Sequence, residues 1–207
     1  MEQYTQRVRA NILPKSVAKT LPAAFREWHW TGNTEDHGYP TETCELCEQE
    51  SLRYHFEIKN EITEEVLQVG SQCILRFDVG VYEAGRRLSV EEARTKLNAT
   101  LRNMQHAACV RALRDALTHE PHAILESALA RYEAHQALTP KQINVVFWRL
   151  GANKVEFNPS FFKVDLSKKK LKEDLKSMRD FERARVWKAM TSSQRGSAIR
   201  FGITPPA

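Results

Sequence analysis

Four cysteines are too few to make a disulfide scaffold of a chain of 207 residues. No apolar run approaches the ~20 residues that cross a bilayer, and the N-terminus lacks the apolar core of a signal peptide. The expectation is a cytoplasmic protein with no membrane partner. Glycine is sparse, at 8 residues, and no glycine-rich loop of the kind that cradles phosphate occurs. The His/Cys-x-Glu and Pro-Cys-x-x-Cys pair of zinc deaminases is absent as well. In a reducing compartment, clustered cysteines indicate metal binding or catalysis before disulfides. Three of the four, Cys44, Cys47 and Cys73, are clustered in this sense. The fourth, Cys109, lies in a helical pattern and reads as a small buried hydrophobe.

Charge is abundant and unevenly placed. Residues 1–80 carry 8 Lys and Arg against 13 Asp and Glu, residues 81–140 carry 8 against 7, and residues 141–207 carry 15 against 6. Such asymmetry in a soluble chain implies a charged partner for one half or docking of the halves on each other.

The periodicities predict an α+β protein, mostly α, in four segments. Residues 1–30 read as an N-terminal helical arm broken by proline, with Phe25, Trp28 and Trp30 packing against the hairpin of the second segment. Thr31–Thr43 are turn formers almost throughout and read as a loop. A small β-hairpin module completes residues 31–80. Tyr54, Phe56 and Ile58 alternate with polar residues as in a half-buried strand, and Val66, Leu67 and Val69 return. Gly70 would serve a sharp bend before Cys73. Residues 81–138 form a helical core whose long helix opens at the capping box Ser89/Glu92. Residues 139–207 form a basic helical region, with boxes at Thr139/Gln142 and Thr191/Gln194. Here Ser167 is expected to cap one helix running from Lys168 to Phe181 and on toward Met190.

A structural zinc site takes four tetrahedral ligands drawn from thiolate and imidazole, and Cys44-x-x-Cys47 supplies two from one turn. Cys73 supplies a third from beyond the hairpin. His55 is the expected fourth, with His37 and Asp78 as alternatives, and Zn2+ is the expected ion. A knuckle, a hairpin and a ligand at a helix start resemble the treble-clef group of zinc fingers. The run Cys-x-Leu-Cys, Arg-Tyr, then Val-Gly-Ser-x-Cys is similar to small zinc modules of uncharacterised phage- and plasmid-borne proteins. The resemblance covers residues 44–77, implies a mobile-element setting and names no activity. A treble clef draws two ligands from its last helix. Here the corresponding position is Arg76, which binds no cation.

Residues 41–80 hold Arg53, Lys59 and Arg76 against nine acidic residues, which makes this module a poor reader of phosphate. The expected nucleic-acid surface lies in residues 141–207, on Lys168, Lys169, Lys170, Lys172, Lys176, Arg179, Arg183, Arg185, Lys188 and Arg195. Trp148, Trp187, Phe161 and Phe162 are interleaved with them, as base stacking requires. The expected function is zinc-stabilised binding of DNA or RNA without catalysis, as an accessory of a larger nucleoprotein complex. Residues 31–80 would then face a protein partner. An adaptor or inhibitor that binds no nucleic acid is the rival reading. A metal-dependent nuclease is a further one, since His55 and Asn60 faintly resemble the His-Asn-His arrangement. No histidine follows Cys73 until His106, so that pattern is incomplete.

Overall fold

The computed structural model describes residues 2–206. The chain divides into two compact units, Met1–Arg102 and Asn103–Ala207.

The first unit is built around the aromatic group near its N-terminus. Helix α1 spans Glu2–Ile12, a 3-10 turn covers Leu13–Lys15, and Pro22 sits in the first turn of the short helix α2, Leu21–Ala24. A second 3-10 turn at Phe25–Glu27 leads into strand β1, Trp28–Asp36. The loop expected from residue 31 is therefore six residues shorter at its start. Thr31–Asp36 are strand because they find antiparallel partners in β2, Tyr54–Asn60, which in turn pairs with β3, Val66–Val69. The register of β1 on β2 slips between Trp30 and Thr34, where Gly32 takes φ +94°. Glycine adopts that conformation without strain. It lets turn-forming residues bulge within a strand and rejoin it.

Trp28, Trp30 and Phe25 pack with Phe56, Ile58, Leu67 and Val69, as their density predicts. Val8 and Ile12 of α1 belong to the same core and are fully buried. The Trp28 indole N–H donates to Ser16 Oγ at 2.9 Å, and Ser16 Oγ donates to Ile12 O at 2.8 Å. A buried polar group needs such a partner.

Gly70 is extended at φ −74°, so the bend expected of it does not use glycine's freedom. Helix α3, Ser71–Arg76, succeeds it directly. A small hairpin of β4, Tyr82–Glu83, and β5, Arg86–Arg87, comes next. Helix α4, Val90–His119, opens at the expected box: Glu92 N donates to Ser89 Oγ, and Ser89 N to the Glu92 carboxylate. Ala93 and Leu97 join the first core, and Cys109, Ala112, Leu113 and Ala116 join the second.

The second unit is helical: α5 Ala123–Glu133, α6 Pro140–Ala152, α7 Lys169–Ser177, α8 Asp180–Ala189 and α9 Ser192–Arg200. The boxes at Thr139 and Thr191 both form. The single helix expected from Lys168 to Met190 is two helices. Met178 and Arg179 turn extended, and the Glu182 carboxylate accepts the Arg179 backbone N–H at 3.0 Å, starting α8 afresh. Lys168, not Ser167, is the N-cap residue of α7. Ser167 is occupied with Asp165 Oδ1, through Oγ at 2.6 Å and N at 2.9 Å. The core joins Leu113, Leu125, Ile143, Val146, Leu150 and Leu175 around Tyr132, Phe147 and Phe162. Cys109 is buried there, and loss of solvation pushes its thiol up to about 12.

Candidate metal centre

The knuckle, the hairpin and α3 bring Cys44, Cys47 and Cys73 together. All three are buried, and their sulfurs lie within 4.8 Å of one another. Cys44 Sγ is 3.7 Å from Cys73 Sγ, and Cys47 Sγ is 3.3 Å from it. Thiolates on a tetrahedral zinc, each at about 2.3 Å, stand about 3.8 Å apart. The cluster therefore fits three corners of such a site and can hold a metal ion.

The backbone supports the same arrangement. The Cys73 thiol hydrogen-bonds Cys44 and, against the opposing effect of burial, brings Cys44 down to about 5. Backbone N–H groups of Gly70, Cys47 and Leu46 add to this. Cys73 moves up, chiefly through its hydrogen bond with Cys44 and then through burial.

Comparison with protein-family models, with curated proteins and with solved structures gives no match.

His55 lies beside the knuckle and is buried, but it is not a member of the thiol group. Its Nε2 is 3.1 Å from Thr43 O, and its ring meets His37 edge-on with centroids 4.8 Å apart. His37 Nδ1 faces Glu35 at 3.8 Å. The Asp78 carboxylate pairs with Arg87 at 3.2 Å and is largely exposed. Asn60 is fully buried and holds the turn: its side chain donates to Lys15 O and Glu27 and accepts from Ile62 N and Thr63 N. One polar group that the ligand spacing does not single out does reach the cluster. Tyr4 Oη of α1 is 3.8 Å from Cys73 Sγ. Nothing local marks it, because it lies 40 residues before the knuckle.

The basic residues separate into two kinds. Lys168, Lys169, Lys170, Lys176 and Lys188 are exposed. Of these only Lys169 forms an ion pair among the described residues, with Glu173 at 3.8 Å. The others are tied to the fold. Arg179 pairs with Glu182 and Arg183 with Asp180. Arg195 donates twice to Trp187 O, and Lys172 lies over the Phe201 ring. Arg185 donates to Asn144 Oδ1 at 3.1 Å.

Aromatic exposure also departs from expectation. Phe162 is buried and unavailable for stacking, and Phe161 and Trp187 pack against the core. Trp148 and Phe181 stand out at 47% and 50% exposure. Arg179 and Arg185 lie over the Phe181 ring, at 4.4 and 5.4 Å from its centroid. Trp148 is one helical turn beyond the Asn144 that Arg185 contacts. The result is a ribbon of exposed rings and cations from α6 to α8.

Of the remaining histidines, His122 caps α5 by accepting from Ile124 N, and His135 stacks on His106. No helix among the described residues is long and apolar enough to cross a membrane.

Proposed function

We propose that the chain is a zinc-stabilised nucleic-acid-binding protein that acts without catalysis as an accessory of a larger nucleoprotein complex. Zn2+ on Cys44, Cys47 and Cys73 would lock a treble-clef-like module of the kind carried by mobile elements. It would supply structure there, not a reactive water. His55 lies outside the thiol cluster and Asn60 is spent on the turn around it, and both support that part of the reading.

The observation that carries the nucleic-acid reading is the ribbon on α6 and α8 together with the unpaired lysines. Exposed cations provide phosphate contacts and counterion release. Exposed rings provide sequence-tolerant stacking. Lys168, Lys170, Lys176 and Lys188 are the proposed phosphate contacts, with Trp148 and Phe181 beside Arg179 and Arg185 as the proposed platforms. The acidic module of residues 31–80 then faces a protein partner.

The test is binding of labelled DNA and RNA, single- and double-stranded, across a salt series. Affinity should fall steeply with salt. Lys168/Lys169/Lys170→Ala should reduce the slope of log K against log salt by about 2–3 and weaken all sequences alike. Retention that is absent, or insensitive to salt, would overturn the reading.

One observation favours the adaptor reading. A groove of about 550 Å³ between α5, α6, α7 and α8 is lined by Ala123, Ile124, Val145 and Met178, which would admit an apolar side chain of a protein. Recovery of the chain from its host with a bound protein, and no nucleic acid, would select it.

A further inference from the structure

A tetrahedral structural site takes four protein ligands, and the clustered cysteines provide three. The group beside them comes from the other end of the unit. Tyr4 Oη stands 3.8 Å from Cys73 Sγ. An oxygen and a sulfur bound to one zinc, at about 2.0 and 2.3 Å, stand about 3.5 Å apart, close to the separation of Oη from Cys73 Sγ.

We propose that Tyr4 supplies the fourth ligand of the cysteine site through its phenol oxygen, and that α1 is thereby part of the metal centre. The inference rests on the metal-binding reading of the three cysteines and extends it.

Two sets of contacts hold the residue in place. The first lies along α1, where Tyr4, Val8 and Asn11 are spaced by four and three residues and so share a face. Val8 is fully buried in the core. Asn11 Nδ2 donates to Leu46 O, inside the knuckle itself, at 3.2 Å, and to the Glu48 carboxylate just beyond it. The helix is thus seated on the Cys44–Cys47 turn by packing and by a hydrogen bond.

The second set lies on α3 and the residue after it. The Tyr4 ring stacks on Phe77, with centroids 6.0 Å apart and planes 13° from parallel, and the Arg76 guanidinium lies 4.3 Å from the Tyr4 centroid. A cation over a tyrosine ring is attractive and fixes the ring. Arg76 occupies the position at which a treble clef would carry its last cysteine. On this reading it binds no metal, and instead positions the side chain that does. The phenol gives its proton to solvent on coordination, as the thiols do.

Of the other candidate donors, two are engaged, while His37 Nε2 is buried with no hydrogen-bond partner among the described residues. His55 Nε2 is on Thr43 O, and Asp78 is paired with Arg87.

The test uses the full chain with cobalt(II) as a spectroscopic probe and zinc affinity read by competition with a chromogenic chelator. Tyr4→Phe keeps the ring against Phe77 and Arg76, so the fold is retained, which circular dichroism checks. The expected result is an unchanged thiolate-to-cobalt charge-transfer intensity, an altered d–d envelope, and zinc affinity lower by about tenfold or more. Tyr4→His, which offers a nitrogen from the same place, should recover part of that loss. An unchanged d–d spectrum and affinity in Tyr4→Phe would overturn the proposal. So would a His55→Ala protein that alone loses the tetrahedral signature. A wild-type chain that takes up neither cobalt nor zinc would overturn the metal reading itself, and this inference with it.

Discussion

The two units are nearly equal in length but differ in what holds them together and in what they offer outside. Met1–Arg102 holds 13 Lys and Arg against 16 Asp and Glu, and Asn103–Ala207 holds 18 against 10. The first unit places three cysteines inside its core, among Trp28, Phe56 and Ile74. The second closes on apolar side chains around the hydrogen-bonded Tyr132, with its single cysteine as one more of them. A short three-stranded sheet has one face to bury and little depth, so a bound metal adds stability where area is limited. The helical unit interlocks long side chains from five helices and α4. Its surface is then free to carry uncompensated positive charge.

The largest expected effect comes from removing the clamp. Chelation, or Cys73→Ser, should strip the first unit of amide protection in hydrogen exchange while the second unit keeps its own. Loss of protection in both units at once would break the comparison.

The converse experiment is Phe147→Ala. It removes a ring packed against Phe157 and Phe162, with centroids 5.0 and 5.2 Å away. It should cost the second unit about 3–5 kcal/mol by denaturant unfolding, and the cobalt spectrum should not move.

The smallest effect sharpens the contrast between two kinds of buried cysteine. The Cys109 thiol has a folded value of about 12 against an ordinary 9.0, because burial disfavours the thiolate. Its contribution is whole below about 9 and is lost as pH rises toward 12, since the unfolded chain ionises first. Tyr132 is raised by burial too and acts in the same direction. The second unit should therefore lose stability in alkali, and less steeply in Cys109→Ala. A metal held by the clustered thiols would respond oppositely, because protons compete with it for thiolates and acid would release it.

Local signals were the legible ones. A capping box is complete within four residues, and Ser89, Thr139 and Thr191 all start helices where their sequences say they should. The three clustered cysteines were legible because knuckle spacing is short and chemically restrictive. Strand β1 was hidden, since Thr31–Asp36 becomes extended only against residues 54–60, and Gly32 reads as a turn until the bulge around it is seen. The break between α7 and α8 was hidden for another reason. No proline or glycine marks it, and it depends on Glu182 accepting the N–H of an arginine, a poor capping residue by type. Which basic side chains stay in solvent was not legible either, because each chooses between solvent and fold. Nothing in the sequence separates Lys188 from Arg195, yet only the arginine is bound to a backbone carbonyl.

The spacing of the cysteines also sets an order of events during synthesis. Cys44 and Cys73 are 29 residues apart. At about 5–20 residues per second, the growing chain carries both knuckle thiols for about 1–5 s, the time needed to add the 26 residues from Cys47 to Cys73. The N-terminal helix has by then long been made, and the hairpin is still being completed. A two-thiol knuckle would exchange an ion freely, so an ion would become committed only when Gly70-Ser-Gln-Cys73 arrives. The first unit would thus be sealed about a third of the way along the chain, before any residue of the basic helices has been translated.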